Sequence, residues 1–236
     1  MLLAELEVWH SRPIAPTRRV ALGHLALPVE PPPGFGGLLL GGVVAAHIDG
    51  VDPDLLADLH RLVVQVEAGE RIVQPRVRHR YQVDRHGLAR SRHRLVGRGE
   101  EIAFEFEENG SPTQQVLGAI YAAERLHEAM RRPVAAVLHR GLQWNGGPVG
   151  PSLLTHLAGS TSTSMAAFAD PVAWALHILG FDLPGADSAS WRPSKREVQA
   201  RFRSRLREVH PDHGGDETRA AVVIGRLGEA RTILLS

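Results

Sequence analysis

The residues best suited to chemistry in this sequence lie near its end, where Arg196, Arg203 and Arg207 precede the run His210-Pro211-Asp212. Pro211 cannot continue a helix and biases His210 out of helical geometry, so the tripeptide is a rigid corner. Asp212 there offers a carboxylate able to accept charge-assisted hydrogen bonds, and the three arginines concentrate positive charge just before it. His210, at the end of that segment, can orient the corner. A second candidate is a pair of arginine rows, Arg76, Arg78, Arg80 and Arg90, Arg92, Arg94. Set side by side they would make a positive face able to bind phosphates, either of a nucleic acid or of a smaller anionic ligand.

Other groupings carry less. Asp49, Asp52, Asp54 and Asp58 suggest a cation loop, but the spacing is not that of an EF-hand and helix capping accounts for them. The glycines at 34, 36, 37, 41 and 42 lack the strand-loop-helix setting of a phosphate cradle. The 13 histidines include no HxxxH pair on a convincing helix, and Ser, His and Asp are too scattered to argue a triad. The expectation is a protein with no metal, no cofactor and no active site of its own.

The elements that position these residues follow from periodicity. From Pro75, Arg76, Arg78, Arg80 and Gln82 alternate with Val77, His79, Tyr81 and Val83, and the return strand repeats the pattern with Arg90, Arg92 and Arg94. After Gly97 and Gly99 a third strand sets Ile102, Phe104 and Phe106 against Glu101, Glu105 and Glu107, so the segment predicts a three-stranded antiparallel meander. The Glu strand would pair with the second arginine row as a salt-bridge ladder. That reading is favoured over phosphate binding, because no aromatic residues interleave with the arginines.

Around the meander, Leu55, Leu59, Leu62, Val63 and Val66 predict an amphipathic helix through about Ala68, capped by Asp52 or Asp54. Ser111-Pro112 predicts the start of another, running to about Met130 with Val116, Ile120, Ala123 and Met130 buried. The first fifty residues, with Pro31 to Pro33 and many glycines, suit strands at Val20–Leu27 and Gly37–Ile48 joined by turns. Between 141 and 169 the composition is that of a linker, holding Asn145-Gly146-Gly147-Pro148 and Gly159-Ser-Thr-Ser-Thr-Ser164, with Leu153, Leu154 and Leu157 as one short docked helix. An α+β domain over 1–140, a linker over 141–169 and a helical domain over 170–236 are therefore expected.

In that last domain, Asp170-Pro171 starts a helix that runs to Gly180, and Ser194 caps a second with the stripe Val198, Phe202, Leu206 and Val209. Arg196, Arg203 and Arg207 lie opposite the stripe. Beyond the corner, Ala220, Val223 or Ile224, Leu227, Ala230 and Leu234 face a third helix back onto the second, making an all-α helical hairpin.

A helix ending in Leu179-Gly180-Phe181, a basic helix ending at His210-Pro211-Asp212, then Gly214-Gly215-Asp216 and a helix carrying Glu229-Ala230 resemble the J domain of DnaJ-type co-chaperones, over about 170–236. The resemblance implies that the basic helix and the corner dock on an ATP-bound DnaK-type chaperone and stimulate its ATP hydrolysis, trapping a client. It also implies a third-class member, since no Gly/Phe-rich segment or cysteine-rich zinc region is present; the other domain would set the client or location. The chain departs from the family at Arg205, where leucine is common and Leu206 is expected to take over the packing. His213 replaces a usual basic residue, Gly225 and Gly228 each weaken the third helix by about 1 kcal/mol, and no fourth helix is expected before Ser236.

Composition agrees with a cytoplasmic setting. The 236 residues carry 27 basic and 26 acidic side chains, a net charge of +1 that gives no global attraction to nucleic acid. Cysteine is absent, which removes disulfides, thiolate catalysis and Cys-ligated zinc. Glu5 and Glu7 interrupt what would be the apolar core of a signal peptide, and the most apolar run, Leu38 to Ala46, is too short to span a bilayer.

Overall fold

The computed structural model describes residues 1–11, 20–72, 88–99, 101–107, 109–145, 147–159, 170–181, 192–209 and 217–235. The chain divides into two compact units, Met1–Gly159 and Ser160–Ser236.

The first unit is α+β. Strands β1 (Leu2–Ser11), β2 (Val20–Ala26), β3 (Leu88–Arg98) and β4 (Glu101–Phe106) form a four-stranded antiparallel sheet in the order β2-β1-β3-β4. The expected β3–β4 hairpin is present, turning at Gly99 in the left-handed region (φ 65). The expected meander is not, because β1 lies along β3 from Leu2 opposite Val96 to Ser11 opposite Leu88. β1 thus occupies the place foreseen for the strand 75–83, and that segment lies outside the described residues. β1 suits the position by period-two alternation: Leu6 and Val8 are fully buried toward the helices, while Glu5 and Glu7 face the other way, opposite arginines.

Helices α1 (Gly34–His47), α2 (Leu56–Glu67), α3 (Pro112–Glu124), α4 (Glu128–Leu142) and α5 (Pro151–Ala158) complete the unit. The glycine-rich run expected as strand and turn is α1, buried from Leu38 through Ala45. Its glycines permit close packing: a methyl group on Gly41 would fall 2.6 Å from Val137 of α4, and one on Gly141 would fall 2.6 Å from the Gly41 carbonyl oxygen. Such an approach offsets the helix-weakening cost of glycine by burial on every side.

Asp52 accepts a hydrogen bond from the Asp54 amide (3.1 Å) at the turn before α2, whose buried face is Leu59, Val63 and Val66 as the spacing predicts. Ser111 and Gln114 form a reciprocal capping box at the start of α3, with Pro112 at its first position. The helix expected to continue to Met130 instead stops at Glu124. His127 begins α4 by accepting the Ala129 amide at Nδ1 (3.4 Å), and Met130 belongs to that second helix. α5 packs on α1 and α4 through Leu153, Leu154 and Leu157, so the first unit continues through residues whose composition suggested a linker.

The second unit holds α6 (Pro171–Ile178), α7 (Lys195–Val209) and α8 (Glu217–Leu235). Asp170 caps α6 by accepting the Ala173 amide (2.9 Å). At its other end Phe181 N–H donates to the Leu176 carbonyl (2.9 Å) over Gly180, which has φ 71. That is the glycine-dependent helix stop foreseen from the sequence. Ser194 and Glu197 bond reciprocally at the start of α7, holding the Glu197 carboxyl below its usual range. α8 packs on both α6 and α7 around Trp174, Ala175, Leu179, Val198, Leu227 and Ala230. Phe202 and Val209, each half-buried, pack against this core, and Leu206, expected to replace Arg205 in the packing, is half-buried as well. Among the described residues no helix is long and apolar enough to cross a membrane.

Candidate functional site

Arg196, Arg203 and Arg207 are exposed on α7, on the side away from Val198 and Phe202. At about 100° per residue they fall within about 40° of one another, a basic ridge along the helix. Arg207 Nε donates to the Arg203 carbonyl (3.3 Å), and among the described residues none of the three makes an ion pair. The ridge ends at Val209, the last residue of α7; His210, Pro211 and Asp212 lie outside the described residues.

The arginine rows fare differently. Arg76, Arg78 and Arg80 lie outside the described residues. Arg90, Arg92 and Arg94 stand opposite Trp9, Glu7 and Glu5 of β1. Arg94 Nε donates to Glu5 (2.8 Å), Arg90 pairs with Glu7 (3.4 Å), and Arg92 reaches both Glu5 (3.8 Å) and Glu7 (3.7 Å). The bond to Glu5 holds the Arg94 guanidinium above its ordinary pKa. Trp9 Nε1 donates to Glu7 (2.7 Å), and Gly23 leaves room for that carboxylate, since a methyl group there would fall 2.8 Å from both Glu7 Cδ and Trp9 Nε1.

The ladder is therefore built chiefly with Glu5 and Glu7 of β1. Of the glutamates expected in that role, Glu105 pairs with Arg98 (2.8 Å) and Glu107 accepts the backbone amide of Arg92 (2.9 Å). Glu5 and Glu7 are 8% and 9% exposed, so all three arginines of this row are engaged by buried carboxylates. Their signal in the sequence was the period-two alternation with Leu6 and Val8.

The inner face of the sheet carries a polar cluster that sequence reasoning missed. His10 of β1, Ser91 and His93 of β3 and Gln115 of α3 are all at most 1% exposed. Gln115 Nε2 donates to Ser91 Oγ (2.9 Å) and to the Asn109 carbonyl, and Ser91 Oγ donates to the same carbonyl (2.8 Å). His10 Nε2, 3.0 Å from Ser91 Oγ, is then a donor, because the hydroxyl's single proton is already committed. Likewise His93 Nε2 donates to Gln115 Oε1 (2.9 Å). Burial pushes the His93 pKa down from 6.5 to about 4, so the ring is neutral. Its edge meets the rings of His47 and Phe106 at 5.6 and 5.5 Å.

A serine that accepts two hydrogen bonds and gives its proton to a carbonyl is not activated as a nucleophile, which would require histidine to take that proton. The cluster joins β1, β3 and α3 as a structural network. Among the described residues no group of three or more His, Cys, Asp or Glu side chains is arranged to hold a metal ion. In comparisons with protein-family models, curated proteins and solved structures, nothing matches this chain.

Proposed function

We propose that the chain is a J-domain co-chaperone that stimulates ATP hydrolysis by a DnaK-type chaperone and recruits it to a client or location set by the first unit. The observation that carries this reading is the exposed ridge of Arg196, Arg203 and Arg207 on a helix that ends one residue before His210-Pro211-Asp212. The ridge would meet an acidic surface of the chaperone, and the Asp212 carboxylate would bond an arginine there. The bond-breaking chemistry belongs to the partner's ATPase site. The other reading, an anion or nucleic-acid binder working through its arginine rows, loses support at Arg90, Arg92 and Arg94, which are paired within the sheet.

Association with a DnaK-type chaperone tests the proposal. The full chain should bind the ATP-bound chaperone more tightly than the ADP-bound form, should weaken as salt is raised, and should lose this preference with Asp212→Asn. Equal binding to both nucleotide states, or binding that Asp212→Asn leaves intact, would contradict it.

A further inference from the structure

The basic residues of α7 do not all point the same way. At about 100° per residue, Arg201 and Arg205 share one side of the helix, about half a turn from Arg203 and Arg207. The Arg201 guanidinium stands over the ring of Phe181, with Cζ 5.5 Å from its centroid. The Arg205 guanidinium lies against Gly180: a methyl group at that position would fall 3.1 Å from both its Cζ and its Nε. Glu208 steadies Arg205 from α7 itself, accepting from Nη1 at 3.1 Å.

Gly180 and Phe181 are the turn that closes α6, where their amides donate to the carbonyls of His177 (3.0 Å) and Leu176 (2.9 Å). The C-terminal end of a helix carries partial negative charge, so two guanidinium groups over it are favourable. A planar guanidinium also fits flat on a glycine and on an aromatic face, which a lysine ammonium does not.

Resting on the co-chaperone reading, we propose that Arg201 and Arg205 are positioning residues that clasp the end of α6. They fix the C-terminal half of α7, from which His210-Pro211-Asp212 follows, and leave Arg203 and Arg207 to face the chaperone. The clasp replaces, from the surface, the buried leucine that the resemblance led one to expect at position 205. Arg201 and Arg205 act through the corner and do not touch the partner.

The test uses the full chain with Arg201→Ala, Arg205→Ala, Arg205→Lys, Arg203→Ala and Arg207→Ala. Amide exchange at Gly180 and Phe181 should accelerate about threefold in Arg201→Ala, the size of one exposed cation–π contact, and by about the same factor in Arg205→Ala, the size of one cation lost from a helix C-terminus, and stay unchanged for Arg203→Ala and Arg207→Ala. In ATPase stimulation the clasp variants should lower the maximal rate with little change in the half-maximal concentration. Arg205→Lys should follow Arg205→Ala. Arg203→Ala and Arg207→Ala should raise the half-maximal concentration severalfold at an unchanged maximum.

Unmoved exchange at residues 180 and 181 would overturn the proposal. So would clasp variants that keep the wild-type maximum, since their role would then be structural only, or ones that shift the half-maximal concentration as Arg203→Ala does, since they would then be docking cations. A wild-type chain that stimulates no chaperone removes the co-chaperone reading and the positioning role with it; the exchange result then shows separately whether the clasp exists.

Discussion

Ser91 sits where three hydrogen bonds converge, two received and one given, so its removal has a cost that spreads. Ser91→Ala would leave donors on His10 and Gln115 unmet in a buried site, and a loss of about 2 kcal/mol in urea denaturation is expected. His93 adds a pH dependence of known sign. Its folded pKa, about 4, lies below the 6.5 of the unfolded chain, so the unfolded state takes up the proton first. The stability is fully present above about pH 6.5 and is lost as pH falls toward about 4, by about 2 kcal/mol between pH 7 and pH 5. His93→Gln should be less stable at pH 7 but should lose less over that interval; equal slopes would contradict the assignment. None of this was legible in the sequence, because residues 10, 91, 93 and 115 belong to three elements, brought together only by the β1–β3 register and the packing of α3 on the sheet. Glu5 and Glu7 could have been found, as outward-facing partners in a period-two strand, but their burial depends on that same register.

At the scale of elements, glycine has opposite meanings in α1 and α8. Gly41 lies where α1 and α4 approach, so Gly41→Ala should push the helices apart and destabilise the first unit by about 1–3 kcal/mol. A methyl group on Gly228 would meet nothing within 4 Å, so Gly228→Ala should stabilise the second unit by about 0.5–1 kcal/mol, read from its urea transition. The helices of the second unit were legible because their signals are local: Asp170-Pro171 and Ser194 open α6 and α7, and Gly180 closes α6. α1 was not legible, since its apolar residues run all round the helix, as befits an element enclosed by the sheet and other helices, and leave no amphipathic period to read. The break between α3 and α4 was hidden for a related reason. His127 is a weak cap by residue type, and its role shows only in the bond from Ala129.

For the whole molecule, the two units divide the work that the proposal requires. The first is an α+β body whose Arg90, Arg92 and Arg94 are paired with Glu5 and Glu7, and the second carries the basic ridge on the helix that ends at Val209. Pairing of distant strands is the part of a fold that sequence periodicity specifies least, which is why β1 was not foreseen beside β3 while the ridge on α7 was. Single-turnover ATP hydrolysis by a DnaK-type chaperone tests the role of that ridge and of His210-Pro211-Asp212 most directly. Wild-type chain should accelerate hydrolysis, and His210→Gln and Asp212→Asn, shown by circular dichroism to fold like wild type, should not. Hydrolysis that is unaffected by well-folded wild type across the chaperone's paralogues, or that both variants still accelerate, would contradict the account.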